Sequence, residues 1–347
     1  MRAGKRLKRG CALVLAALLG LSGLVQIRTQ AAGGIETGRL CTLTVSVADS
    51  EYKEDFNEMK IPVSLYRVAD VDVSGRYTPA EGFGEMDFGG LSSETKAEDW
   101  TALAEEAAKC LEGTEVQAVQ RQEAAAEEGG SGEASAVFEK LATGLYLVVP
   151  EATYNKDYTV RYLFTPYLTA LPSSEYTLTG AGSDEWNYDT VIGLKAEGEP
   201  QYGRLNITKV LSNYNETLGR TSFVFQVEGR DETGALVYSN VISTTHEGAG
   251  SETVTLGQIP AGLTVKVTEV YSGASYELVD SPEKDALIWS DAAVASGEHS
   301  EASVSFTNRY GGGNRGGYGV TNHFDSDGSG GWTWVNPMTE SPALPEE

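Results

Sequence analysis

The sequence predicts a mainly β protein of two sandwiches in tandem, the first carrying an inserted helix. Three observations lead there. Short segments with a period of two recur from residue 40 to residue 310, separated by turn-rich stretches. The chain holds 40 glycines, and its 17 tyrosines outnumber its 9 phenylalanines, a mix suited to many strands joined by turns. One segment alone, residues 93–111, carries a clear helical period. At 347 residues there is room for two ordinary domains.

LCTLTVSVA at 40–48 sets Cys41, Leu43, Val45 and Val47 in one phase, and IPVSLYRVA at 61–69 is a second strand. SETKAEDWTALAEEAAKCL at 93–111 instead places Trp100, Leu103, Ala104, Ala107 and Leu111 on one helical face, with Ser93 as its N-cap and Gly113 as its stop. EAAAEEGGSGEAS at 123–135 reads as a solvated connector. FEKLATGLYLVVPE (138–151), VRYLFTPYLTALP (160–172) and WNYDTVIGLKAE (186–197) restore the strand signal. GEPQYG at 198–203 has the composition of a linker. Six strands follow: RLNITKVL, TSFVFQVEG, ALVYSNVIS, ETVTLGQIP, LTVKVTEVY and ASVSFTNRY. Nine of the last 37 residues are glycine, so 311–347 reads as a flexible tail. The expected organisation is thus 1–32 as a leader, 33–198 and 199–310 as the two sandwiches, and 311–347 as the tail.

The leader is a secretion signal. Arg2, Lys5, Arg6, Lys8 and Arg9 precede the apolar run CALVLAALLGLSGLV, and small residues follow for cleavage near Ala31 or Ala32. An uncleaved anchor is the second reading, because the run is short for a full span. No later segment is apolar enough to cross a bilayer, so the mature chain is expected to lack a span. Removing the leader, with six basic residues and no acid, moves the net charge from −24 to −30. Such a chain repels nucleic acid and anionic membrane surfaces. Cys11 leaves with the leader. Cys41 and Cys110 remain, and in an exported chain they can either pair or stay free.

Three polar residues sit in the wrong phase. In RLNITKVL, Lys209 shares a face with Leu205, Ile207 and Leu211. In LTVKVTEVY, Glu269 shares one with Val265, Val267 and Tyr271. In ASVSFTNRY, Asn308 shares one with Val304 and Phe306. The plain reading is a buried ion pair with an asparagine beside it, or strand ends that reach water. A buried ion pair seldom repays its desolvation, however. The chemical reading is an intramolecular isopeptide bond. An apolar core pushes a lysine toward its neutral, nucleophilic form. Lys209 then attacks the Asn308 carboxamide while Glu269 moves protons and polarises the carbonyl, and ammonia leaves. The product is a neutral amide, which removes the cost of burying the lysine.

N-I-T-K-V, V-T-E-V and S-F-T-N-R, in this order, resemble the Cna B-type immunoglobulin-like domains of Gram-positive surface proteins and pili. The resemblance covers about residues 203–310. It implies Lys209 as amine donor, Asn308 as acyl donor and Glu269 as the assisting acid/base, without a cofactor. The bond would close a loop of 99 positions, worth about 4–5 kcal/mol on the chain-entropy model. It would also put a covalent path between the first and last strands. This is a single-turnover self-modification, and the chain is not expected to be an enzyme.

FEKLATGLYLVV, FTPYLTALP and WNYDTVIGLK resemble the N-terminal domain of pilin subunits. The fold implied for the whole chain is therefore mainly β, with tandem immunoglobulin-like β-sandwiches, the first with a helical insertion. In pilins a W-x-x-x-V-x-V-Y-P-K motif supplies the lysine that a pilus sortase joins to the next subunit. Trp186 and Lys195 have the matching span, and Ile192 matches the second valine. Thr190 replaces the first valine and Gly193-Leu194 replace Tyr-Pro. The resemblance implies Lys195 as a polymerisation nucleophile, with other pilin subunits and a pilus sortase as partners; the plain reading is a solvated lysine at a strand end. LCTLTVSVA has no lysine, so no second isopeptide bond is expected in residues 33–198.

Other signals weigh less. FDSDGSGG at 324–331 lacks the later ligands of a calcium loop. NIT and NET are sequons that matter only in a eukaryotic secretory route. His246, His299 and His323 lack metal spacing. The chain closes on NPMTESPALPEE rather than on an LPxTG-like signal, so either the sequence stops before its sorting signal or retention works differently. The reading is a secreted, cell-surface structural subunit of a pilus or adhesin stalk. Two alternatives stand beside it: a lone adhesin binding a host or matrix ligand, and a secreted hydrolase with an immunoglobulin-like accessory module.

Overall fold

A computed structural model describes residues 34–48, 50–91, 95–126, 133–174, 185–231, 233–273, 275–312, 323–326, 328 and 331–335. The leader at 1–32 and Ser93 lie outside the described residues. The first half runs β1 (Cys41–Ser46), α1 (Lys53–Asn57), β2 (Ile61–Val71), β3 (Tyr77–Pro79), α2 (Ala97–Leu111), β4 (Gln120–Ala124), β5 (Ser135–Leu141) and β6 (Gly144–Pro150). Then come β7 (Thr153–Tyr154), β8 (Val160–Phe164), β9 (Tyr167–Leu171), β10 (Ser173–Ser174), β11 (Trp186–Asn187), β12 (Asp189–Gly193) and β13 (Ala196–Pro200).

Two sheets sandwich the first core. One has the order β12-β1-β5, and the other β3-β2-β6-β9 with β4 also paired to β2. The alternation expected of β1 is present: Cys41, Leu43 and Val45 are buried. They meet Ile61, Val63 and Leu65 of β2 and Tyr146 and Val148 of β6. The second sheet is buried on its other face too. There Val68, Leu145 and Leu147 pack with Phe83, Met86 and Phe88 and with Ala104 and Ala107 of α2. A strand covered on both faces loses its alternation, which is why GLYLVV reads as a continuous apolar run. On β2 a register shift between Arg67 and Ala69 moves the strand from one core to the other.

Three expectations change here, and the alternative left open for the two cysteines is resolved. The helix starts at Ala97 with Lys96 before it, and no side chain caps it; its end at Gly113 (φ +71°) is as expected. The connector at 123–135 is paired at both ends, with Ala124 and Ala134 fully buried. The stretch taken as a linker is paired backbone, β13 ending at Pro200 and the next strand beginning at Tyr202. Cys41 and Cys110 are both free thiols. Cys41 lies in the first core and Cys110 against the helix-covered one, so the disulfide does not form; burial pushes the Cys41 thiol up to about 11.

The second half runs β14 (Tyr202–Leu211), β15 (Thr221–Arg230), β16 (Leu236–His246), β17 (Gly250–Pro260), β18 (Thr264–Tyr271), β19 (Tyr276–Leu278), β20 (Glu283–Leu287), α3 (Asp291–Ala295) and β21 (Ala302–Tyr310). All six strands read from the sequence are present. With the short β19 and β20, which the sequence reading did not include, they form two four-stranded sheets, β17-β14-β21-β19 and β16-β15-β18-β20. Their inner faces enclose Leu205, Ile207, Phe223, Phe225, Val265, Val267, Val304 and Phe306. This is a β-sandwich. Its first and last strands, β14 and β21, are parallel neighbours. Within the expected tail, β22 (His323–Ser326) and β23 (Trp332–Val335) pair as an antiparallel hairpin. Among the described residues no helix is long and apolar enough to cross a membrane.

Gly203 opens this second unit for a steric reason. A Cβ there would lie 1.8 Å from the Trp289 carbonyl oxygen, which is backbone and cannot swing aside. Gly203→Ala is therefore expected to lower unfolding free energy by about 1–3 kcal/mol, read as an earlier denaturant midpoint at unchanged slope. An unchanged midpoint would mean that the strand start shifts freely.

Candidate functional site

The three out-of-phase polar residues converge in the second core. Lys209 lies on β14 opposite Phe306 of β21. Asn308 lies opposite Leu211, two residues further along the same parallel pair. That offset is about 7 Å, a distance the four-carbon lysine stem spans while lying along the sheet. Glu269 comes from the other sheet, on β18 opposite Phe225. A register shift falls between Val224 and Phe225, and a bulge of this kind re-aims the residues next to it. Both sheets thus contribute to one site.

The contacts form a closed circuit. Lys209 Nζ donates to Glu269 Oε2 at 2.7 Å and to Asn308 Oδ1. Asn308 Nδ2 donates to Glu269 Oε1 at 2.6 Å and to the Ser272 carbonyl oxygen at 3.3 Å. The Lys209 and Glu269 side chains are both 0% exposed, and Asn308 is fully buried as well. Lys209 Nζ also sits 4.6 Å from the centroid of the Phe223 ring and 5.8 Å from that of Phe225. Burial pushes the Lys209 ammonium below its usual value, against the opposing pull of its hydrogen bond and ion pair with Glu269.

The chemistry open to this arrangement follows from which atoms meet. A buried amine lies against the oxygen of a carboxamide. One carboxylate touches the amine through one oxygen and the carboxamide nitrogen through the other. The proton donor, the proton acceptor and the group between them are therefore already in hydrogen-bond contact, the geometric requirement for general acid–base work.

The other sequence-derived residues lie elsewhere. Lys195 is exposed between β12 and β13. Trp186 begins β11 and is half-buried against the first core, with Ile192 packed on the same core. Thr190 is buried and shares a hydrogen bond of 2.9 Å with Ser173.

Sequence reasoning missed three parts of the site. The Phe223 and Phe225 platform looked like ordinary core. The Ser272 carbonyl is backbone and leaves no signal in the sequence. His246 and Thr244 point inward from β16, and neither His246 Nε2 nor Thr244 Oγ1 has a hydrogen-bond partner among the described residues. The His246 ring meets Phe223 edge-on at 5.5 Å. Burial pushes its imidazole below the usual value; Glu252 opposes this and Lys209 adds to it. The phase of ISTTH would have placed both residues inward.

Residues 205–311 match the family described as "Domain of unknown function (DUF5979)", a span that includes Lys209, Glu269 and Asn308. No curated protein matches the chain. Several solved structures are similar to it at low identity. The full-length major pilin SpaD from Corynebacterium diphtheriae is 12% identical, with 80% of this chain and 99% of that one covered at a TM-score of 0.28. The minor pilin GBS52 from Streptococcus agalactiae is 14% identical, with 80% and 99% covered at 0.23. A bacterial adhesin from Mobiluncus mulieris, whose structure is described as containing intramolecular disulfide, isopeptide and ester bond cross-links, is 15% identical, with 72% and 84% covered at 0.24.

Proposed function

We propose that the unit of residues 199–310 closes an isopeptide bond between Lys209 and Asn308, and that the chain is a covalently hardened subunit of a cell-surface pilus or adhesin stalk. The observation that carries this is the closed circuit of Lys209, Glu269 and Asn308 in a core from which water is excluded. The Lys209 amine attacks Cγ of Asn308. The proton leaving Nζ passes to Glu269 Oε2, and Oε1 delivers a proton to Nδ2 of Asn308. The new C–N bond forms as the bond from Cγ to Nδ2 breaks, and ammonia departs. Carboxylate and carboxamide are held before the reaction starts, so little reorganisation is needed.

On this reading the partners are further copies of the subunit, joined by a pilus sortase through Lys195. Its exposure at a strand junction suits a nucleophile that another protein must reach. The mature chain is exported and displayed at the surface or cell wall.

The intact mass of the mature full chain tests the cross-link. It should fall short of the sequence mass by one ammonia; a mass equal to that of the sequence ends the proposal. Polymerisation is read separately. Co-expression with a cognate sortase should give an SDS-resistant ladder that collapses on Lys195→Ala. A ladder that survives this substitution removes Lys195 from the role, and a cross-linked chain that never ladders is a lone adhesin.

A further inference from the structure

β21 runs beside β14 from Ala302 to Asn308, but on its other side β19 pairs only with Asn308, Arg309 and Tyr310. The stretch before Asn308 is thus a sheet edge, and its outward backbone groups need other partners. Val279, the first residue after β19, still donates from its N–H to the Thr307 carbonyl oxygen at 2.8 Å. The chain then leaves for β20, which belongs to the opposite sheet. Two side chains take over from there. The Thr307 N–H donates to Asp280 Oδ1 at 3.4 Å, and the Ser305 carbonyl oxygen accepts from Lys284 Nζ. Asp280 and Lys284 are joined to each other at 2.9 Å. An acid and a base four residues apart therefore continue the ladder where the strand has gone.

This bracket touches both sides of the proposed reaction. Its first end is fastened to Thr307, next to Asn308. Its second end is fastened to Glu269, whose N–H donates to the Pro282 carbonyl oxygen at 2.9 Å. Lys284 lies opposite the buried Val267, so its stem shares the inner face, and its Nζ sits 5.1 Å from the centroid of the Phe306 ring. Phe306 is the residue of β21 opposite Lys209. The Asp280 and Lys284 side chains are 32% and 28% exposed, so their charges stand at the rim of the core. Resting on the cross-link reading, we propose that Asp280 and Lys284 are a positioning pair: they replace the missing strand beside β21, hold Asn308 in register with the Lys209 amine, and set opposite charges near that amine. Lys284 disfavours the Lys209 ammonium and Asp280 favours it. Glu269 from β18, His246 from β16 and the exposed Glu252, opposite Lys209 on β17, also bear on it.

The test uses the full chain, recovered uncross-linked from denaturant and folded by dilution at a series of pH values. Samples are quenched in acidic denaturant at intervals and weighed, while tryptophan fluorescence follows folding. In the parent chain the rate of ammonia loss should rise with pH to a plateau, as Lys209 gives up its proton. Lys284→Met and Asp280→Asn each break the bracket, so both plateaus should fall by about tenfold or more. Their midpoints should part. Without the Lys284 cation the ammonium is less disfavoured, so the midpoint moves to higher pH; without the Asp280 carboxylate it moves lower. A loss of packing alone cannot move them in opposite directions. Lys284→Arg keeps the charge and should keep the parent midpoint. Lys284→Gln and Asp280→Ser read the same two shifts where the first substitutions impair folding. Lys266→Met removes an exposed pair with Glu283 from the same two strands, β18 and β20, and should react like the parent. Variants that fold but keep the parent plateau, and midpoints that stay in place or move together, each overturn the proposal. A parent chain that folds and loses no ammonia overturns the cross-link reading instead.

Discussion

Lys209→Met should yield a chain of full sequence mass whose second sandwich unfolds about 4–5 kcal/mol more easily than the parent. Methionine keeps most of the lysine stem's volume, so no large cavity forms. Removing a buried charge in favour of an apolar group is itself often neutral or stabilising. The deficit therefore reports the cross-link, which spans 99 positions between the two partners. The same substitution separates two explanations of a stable domain. If the parent's resistance to denaturant comes from ordinary packing around Phe223, Phe225 and Phe306, the variant keeps it. A variant with the parent's midpoint would show that the lysine contributes only as an ion pair.

Glu269→Gln should be worse still. The side chain keeps its shape but can neither accept the Nζ proton nor return one to Asn308, so the mass should remain that of the uncross-linked chain for hours after folding. Lys209 is then left in the core without a counter-charge, which costs about 3–5 kcal/mol beyond the missing bond. Its burial holds the folded-state pKa below the unfolded 10.5. Between those two values the unfolded chain binds the extra proton, so the variant's stability should rise with pH up to 10.5 and fall on acidification. The parent, with its lysine consumed in a neutral amide, should lack this slope. A Glu269→Gln chain that sheds ammonia at the parent rate would remove Glu269 from the chemistry.

The site was legible because strand phase is a strict code. On a period of two, Lys209, Glu269 and Asn308 could fall only on the buried faces of their strands. What the phase cannot carry is position across strands. That Asn308 lies two residues beyond the partner of Lys209 depends on the parallel pairing of β14 with β21. The aim of Glu269 depends on a register shift that exists only between paired strands. The same limit explains the fold errors. α1 is five residues long and uncapped, held by Phe56 in an aromatic group with Tyr52, Tyr162 and Phe164, so neither periodicity nor capping could reveal it. Pro200 and two glycines made 198–203 look like a linker, yet Glu197, Gly198 and Glu199 pair with β8. A Cβ at Gly198 would come within 3.2 Å of Val160 Cγ1 and 3.5 Å of the Tyr162 ring, so this glycine lies against the packed strand it pairs with.

The proposed bond between Lys209 and Asn308 would change what the chain is topologically. Once joined, residues 209 to 308 form a closed ring from which two tails emerge, one toward the first sandwich and one toward the C-terminus. A protease that cuts the exposed turn after β15, around Asp231 and Gly234, opens this ring and releases nothing. The severed strands remain parts of a single molecule, heavier by one water. For a subunit displayed at the cell surface, as proposed, a nick in this unit becomes a scar instead of a loss.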